Sequence, residues 1–144
     1  MNLKQQIQED IKNALKQRET DKLSVLRLVM DSIIKKEKEI KKELTDDDVL
    51  KLLMSAVKKG KDSIAQFEQG NRQDLVAKEQ RELDVLKTYL PEQMSEDEIK
   101  AIVQKVINSG ADNMGEVMKQ VMPQLQGRAD GKLVTDIVKQ LLHG

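Results

Sequence analysis

The chain has no cysteine and no tryptophan, and only one histidine, one tyrosine, one phenylalanine and two prolines. Without cysteine there are no disulfides, no thiolate metal sites and no thiol nucleophiles. The single histidine, His143, is one residue from the C-terminus, where chains commonly fray, so it is a poor general base. With Phe67 and Tyr89 as the only aromatics, no platform exists for stacking splayed single-stranded bases, and the core must be built from Leu, Ile, Val, Met and Ala. Charge of one sign is also lacking. Lys plus Arg and Asp plus Glu each number 25, so the net charge is zero and nothing draws the whole molecule to nucleic acid or an anionic membrane. No apolar run reaches the roughly eighteen residues of a membrane-spanning helix. The opening MNLKQQIQED carries acid early and has no apolar centre, so it does not read as a signal peptide. A cytoplasmic location is expected.

What is present is charge, 35% of residues, together with abundant Lys, Glu, Gln and Leu. That is the composition of an all-α protein. Leu3, Ile7, Ile11 and Leu15 repeat every four residues and predict a first helix ending near Arg18. Leu23, Leu26, Met30, Ile33, Ile40 and Leu44 step by three and four, interrupted at Glu37. They predict a long helix from Asp21 to Glu43, roughly 34 Å in length. Its second half, KKEKEIKKE, reads as a solvated face braced by pairs such as Glu37 with Lys41. Thr45-Asp46-Asp47-Asp48 looks like a capping box, and this reading prevails over a divalent metal site because no second ligand cluster supports one. Val49, Leu53, Val57, Ile64 and Phe67 form a third stripe. Gly60 falls on that stripe and permits a close helix crossing. Gly70-Asn71 ends this helix, and Val76, Leu83, Leu86 and Leu90 mark a fourth.

Leu90-Pro91 breaks the pattern, and Ser95-Glu96-Asp97-Glu98 reads as a capping box that restarts it. The expected organisation is a helical domain of about four helices over 1–90, a linker over 91–94, and a small three-helix domain over 95–144. In the latter, Ile99, Ile102, Val103, Val106 and Ile107 form one stripe. Met114, Val117, Met118, Val121, Met122 and Leu125 form the next, and Leu133, Val134, Ile137, Val138, Leu141 and Leu142 the last. Pro123 is expected to bend or end the middle helix.

Catalytic constellations are scarce. Serines 24, 32, 55, 63, 95 and 109 fall on helices or caps with no evident base. No ATP site or metal-ligand cluster is readable, and no cofactor is expected. Gly127-Arg128-Ala129-Asp130-Gly131-Lys132 is a different kind of candidate. Asp130 can cap the last helix, and Arg128 and Lys132 flank an N-terminus whose dipole favours anions. Lys119 and Lys139 lie in the same two helices. The plainer alternative pairs Arg128 with a local acid and leaves Gly127 as a helix stop. Methionines 114, 118 and 122, with 30 and 54, could line an adaptable partner groove or simply be core.

Several short runs together carry a resemblance. They are Leu23-Ser24-Val25-Leu26-Arg27, Lys61-Asp62-Ser63-Ile64-x-Gln66-Phe67, Asn71-Arg72-x-Asp74-Leu75, Tyr89-Leu90-Pro91-Glu92-Gln93, Met114-Gly115-x-Val117-Met118 and Gly127 through Val134. Nearly the whole chain resembles the GatB/YqeY family, in which the B subunit of the tRNA-dependent amidotransferase carries such a tail. Gly60 departs from the basic residue expected there. The resemblance implies a non-catalytic, bacterial tRNA-binding accessory protein that reads structured tRNA by backbone and shape. Its partners would be tRNA and tRNA-charging or amidating enzymes, with Arg128 and Lys132 at the anion site and Lys119 and Lys139 nearby. One alternative is a component of glutamine-dependent amidation, a carbon–nitrogen ligase with glutamine as amido-N-donor. Another is a protein-interaction module using the methionine stripe or the long second helix.

Overall fold

The computed structural model describes residues 1–125 and 127–143. Among the described residues there are seven helices and no strand. These are α1 (Leu3–Lys16), α2 (Thr20–Ile40), α3 (Asp46–Gln69), α4 (Gln73–Lys87), α5 (Glu96–Asn108), α6 (Met114–Leu125) and α7 (Gly131–His143). Their contacts divide the chain into two compact units, Met1–Leu90 and Pro91–Gly144.

In the first unit, α1 begins on a capping box that pairs Asn2 with Gln5, and α3 on one that pairs Thr45 with Asp48. Each such cap satisfies helix N–H groups that would otherwise lack partners, for about 1 kcal/mol. Ile7, Leu26, Ile33 and Leu53 are fully buried at the centre. Each contributes about 1.5–3 kcal/mol by leaving water. Three expectations are corrected here. Ala14, not Leu15, faces inward from the end of α1, and Leu15 is 56% exposed. The second helix stops at Ile40 because Lys41 turns left-handed at φ 58°, so Ile40 is an exposed terminal residue and Leu44 packs from the following loop. Glu37 does not brace Lys41. Its carboxylate takes the Lys4 ammonium at 2.8 Å and the Leu44 N–H at 3.0 Å, which ties α1, α2 and the next loop together.

Gly60 does mark a close crossing, since a Cβ there would lie 3.3 Å from Leu83 Cδ1 on α4. Gly70-Asn71 ends α3, and Asn71 takes the left-handed conformation at φ 55°. Asp74 lies in the first turn of α4, where it accepts two hydrogen bonds from the Arg72 guanidinium at 3.2 and 3.1 Å. The helix ends at Lys87, and buried Tyr89 donates its hydroxyl hydrogen bond to Asp10 of α1.

In the second unit, α5, α6 and α7 all touch one another around Ile99, Val103, Val117, Val121, Leu125, Val134 and Val138. Ser95 caps α5 through its Oγ, which accepts the Glu98 N–H at 3.2 Å. Glu98 does not return the bond, so only half of the expected box forms. Gly110 leaves the helix at φ +116°, a conformation that costs a side-chain-bearing residue dearly. Pro123 lies inside the last turn of α6 without ending it before Leu125. Met114, Met118 and Met122 pack against this core, so the methionine stripe is a flank of the core and not an open partner groove.

Candidate functional site

Polar chemistry inside the molecule is sparse. Among the described residues no polar or charged residue is buried, and no group of three metal-ligating side chains occurs. The aspartates before α3 act as structural acceptors. Asp46 takes the Leu3 N–H at 3.0 Å, and Asp48 takes the N–H and hydroxyl of Thr45. These contacts hold the Asp48 carboxyl below its ordinary range, the Thr45 N–H having the largest effect. Ser32 and Ser109 donate to carbonyls of their own helices.

The four cations singled out in the sequence fall into three places. Arg128 is half-buried, and its Nε donates to the Glu92 carbonyl at 3.1 Å. Around it, the Met94 N–H donates to the Arg128 carbonyl at 2.9 Å, and the Gln93 amide to the Gly127 carbonyl at 2.8 Å. Residues 91–94, expected as a linker, are therefore bonded to the α6–α7 connector, and Gly127 enters that connector at φ 75°. Asp130 Oδ1 accepts the Lys132 N–H at 3.2 Å and so caps α7. Lys132 and Lys139 are exposed and seven residues apart, on one face of α7. Lys119 stands on α6 beside the Ser109–Ala111 turn. The helical period thus joins Lys132 with Lys139, while Lys119 and Arg128 belong to other segments.

A second feature lies in the first unit. A groove of about 360 Å³ runs between α2, α3 and α4. Its apolar lining comes from Val25 and Val29 on α2, Leu52 and Ala56 on α3, and Leu83 and Leu86 on α4. Gly60 presents no side chain to it, and Leu83 packs, buried, against the space a Cβ there would occupy. Leu28, on the same lining, is 62% exposed, while Val25, Val29, Leu83 and Leu86 are buried. The volume is within the range of ligand-binding clefts.

The polar groups of the groove are asymmetric. Glu79 and Glu82 stand one turn apart on α4, and Lys59 stands on α3. Burial pushes the Glu82 carboxyl above its ordinary range, and the negative charge of Glu79 adds to this. The nearby Arg81 is engaged elsewhere, bonded to Asp21 at 2.9 Å. Sequence reasoning missed this groove, because its wall is contributed by three separated helices. The one available signal was Gly60 on an otherwise apolar stripe.

Comparison with known proteins gives the chain its relatives. A family model described as Yqey-like protein matches residues 4–142. "Altered inheritance of mitochondria protein 41, mitochondrial" of Pyrenophora tritici-repentis is 32% identical over 142 residues, covering 94% of this chain and 78% of that protein. The protein of the same name from Saccharomyces cerevisiae is 30% identical over 126 residues, covering 85% of this chain and 68% of its own. An uncharacterized protein of Schizosaccharomyces pombe is 35% identical over 94 residues, covering 65% of this chain and 76% of its own.

These findings overturn the expectation of a tRNA-binding accessory of bacterial amide transfer and, with it, that of a carbon–nitrogen ligase component. The relatives matched along most of their length are fungal and are named for mitochondrial inheritance, not for tRNA or amidation. No described helix is long and apolar enough to cross a membrane. Matched by the family model over 139 of its 144 residues (4 through 142), the chain belongs to the YqeY family.

Proposed function

We propose that this protein works by binding rather than catalysis, and that the groove between α2, α3 and α4 is where it captures an apolar segment of a partner. The observation that carries this reading is a groove between three helices, floored by the apolar core and with Leu28 left 62% exposed at its edge. Such a surface gains free energy when a partner covers it, at about 25 cal/mol per Å² of apolar area removed from water. The relatives' names associate them with mitochondria and their inheritance, and capture of a partner is the means by which this chain would serve a process of that kind.

Two further points belong to the same reading. The units Met1–Leu90 and Pro91–Gly144 act as a four-helix and a three-helix domain, each supported by its own core. We place the chain in the cytoplasm, although its relatives are named mitochondrial, and cell fractionation checks that placement.

Selection from a displayed library of helix-forming peptides tests the groove. The full chain serves as bait, and Ala56→Trp, which fills the groove from α3, serves as the counter-bait. Peptides that bind the wild type and lose the Trp variant are expected, with both proteins equally helical by circular dichroism. Enrichment of nothing, or of peptides that hold both proteins alike, would overturn the reading.

A further inference from the structure

The groove's dimensions and charges say more about its occupant. Its lining extends from Leu52 to Ser63 along α3, which is about 16 Å at 1.5 Å per residue. From Val25 to Ser32 on α2 and from Glu79 to Leu86 on α4 it extends about 10 Å. Those lengths correspond to two to three turns of a helix laid among three others, the usual way an amphipathic helix docks through anchors at i, i+3 or i+4, and i+7. The groove is open along this length and is not a closed cavity for a compact molecule.

Charge then selects the flanks. Glu79 and Glu82 both lie half-buried on the α4 wall, and neither accepts a hydrogen bond or an ion pair within 4 Å among the described residues. Arg81, between them in sequence, is bonded to Asp21 of α2, which itself adds negative charge near Glu82. Lys78 and Arg81 both act on Glu82, and both do so without contact. On the opposite wall, Lys59 is exposed on α3. Glu82 is partly desolvated and has the like charge of Glu79 beside it with no cation in contact, and a partner's cation placed there would offset both.

We propose that the occupant is an amphipathic helix of a partner protein, with a Lys or Arg set against Glu79 and Glu82 and an acidic residue set against Lys59. This rests on the groove reading above, and the test separates the two. The probe is a fluorescein-labelled synthetic helix of about four turns, with leucines on one stripe and lysines along one edge of it. A second probe carries glutamates in place of the lysines. Anisotropy titrations use the full chain and its Glu79→Lys/Glu82→Lys variant, with Glu79→Gln/Glu82→Gln as a milder variant should the first melt early.

The wild type is expected to bind the lysine helix about tenfold more tightly than the glutamate helix, with the preference shrinking as salt rises. The Gln variant should lose the preference, and the Lys variant should invert it. Equal affinity for both helices would overturn the charge assignment while leaving the groove reading in place. Failure of both helices to bind would overturn the proposal, and an accompanying dimer that Leu28→Glu dissociates would identify a second copy of the chain as the occupant instead.

Discussion

The Glu37 carboxylate meets the Lys4 ammonium at 2.8 Å across 33 residues of sequence, and its second oxygen takes the Leu44 N–H at 3.0 Å. One side chain thereby holds the start of α1, the last turns of α2 and the approach to α3. The Lys4 hydrogen bond, and after it the Leu44 N–H, holds the Glu37 carboxyl below its ordinary value of 4.5. A carboxyl lowered by folding stabilises the native state at pH above its unfolded value and ceases to do so as pH falls through its folded value. Glu37→Gln is therefore expected to melt below the wild type at pH 7, with the gap closing as pH drops below about 4. Thermal melts across that range check it; a gap independent of pH would show that the ionised carboxylate is not what matters.

Tyr89 and Asp10 provide a spectroscopic test of the α1–α4 packing. Burial, and then the hydrogen bond to Asp10, pushes the Tyr89 hydroxyl well above its ordinary value of 10.0. There is one tyrosine and no tryptophan, so the absorbance of tyrosinate reports this residue alone. The folded chain should show no tyrosinate at pH values where free tyrosine is largely ionised. An acid whose neutral form is favoured by folding makes the protein less stable as pH rises past the unfolded value, so the signal should appear together with unfolding. Tyr89→Phe keeps the ring and should cost roughly 1–2 kcal/mol for the lost bond to a carboxylate.

Gly60 sets how closely α3 approaches α4. Alanine would gain up to about 1 kcal/mol of helix propensity, offset in part by its Cβ meeting the flexible end of Leu83. The separation of 3.3 Å asks Leu83 to move by only a few tenths of an ångström. Gly60→Ala is expected to be mildly stabilising in urea denaturation, whereas Gly60→Leu should cost about 1–3 kcal/mol by overpacking.

Leu28 separates binding from stability. It is 62% exposed, so Leu28→Glu should change unfolding free energy by no more than about 0.5 kcal/mol. The same change places a third acid in the groove's apolar lining and should abolish capture of peptides selected against it. Paired denaturation and anisotropy measurements check both halves.

Much of the fold was readable because helices announce themselves locally. The apolar stripes of α3, α5 and α7, the Thr45 box and the break at Leu90-Pro91 all follow from spacing and capping within a few residues of chain. The misreadings arose where a local pattern met a tertiary partner. Glu37 looked like an i,i+4 partner of Lys41, and its true partner is a lysine on another helix. The stripe of α2 ran on past Ile40 because Leu44 continues its period from a loop. Ala14 is too small to stand out beside Leu15, yet it holds the inward position. The candidate site was less legible still. Charge near a helix start drew the eye to Arg128 and Lys132, but only the fold shows Arg128 bonded to the Glu92 carbonyl. A groove built from residues spread between Val25 and Leu86 leaves no contiguous motif.

Amide chemical shifts of the full chain, titrated with the lysine-edged leucine helix, test the binding groove most directly. Shifts confined to the segments 25–32, 52–63 and 79–86, and absent in Ala56→Trp, are the expected result. Shifts centred on the α6–α7 connector and the exposed face of α7, or no shifts at all, would contradict it.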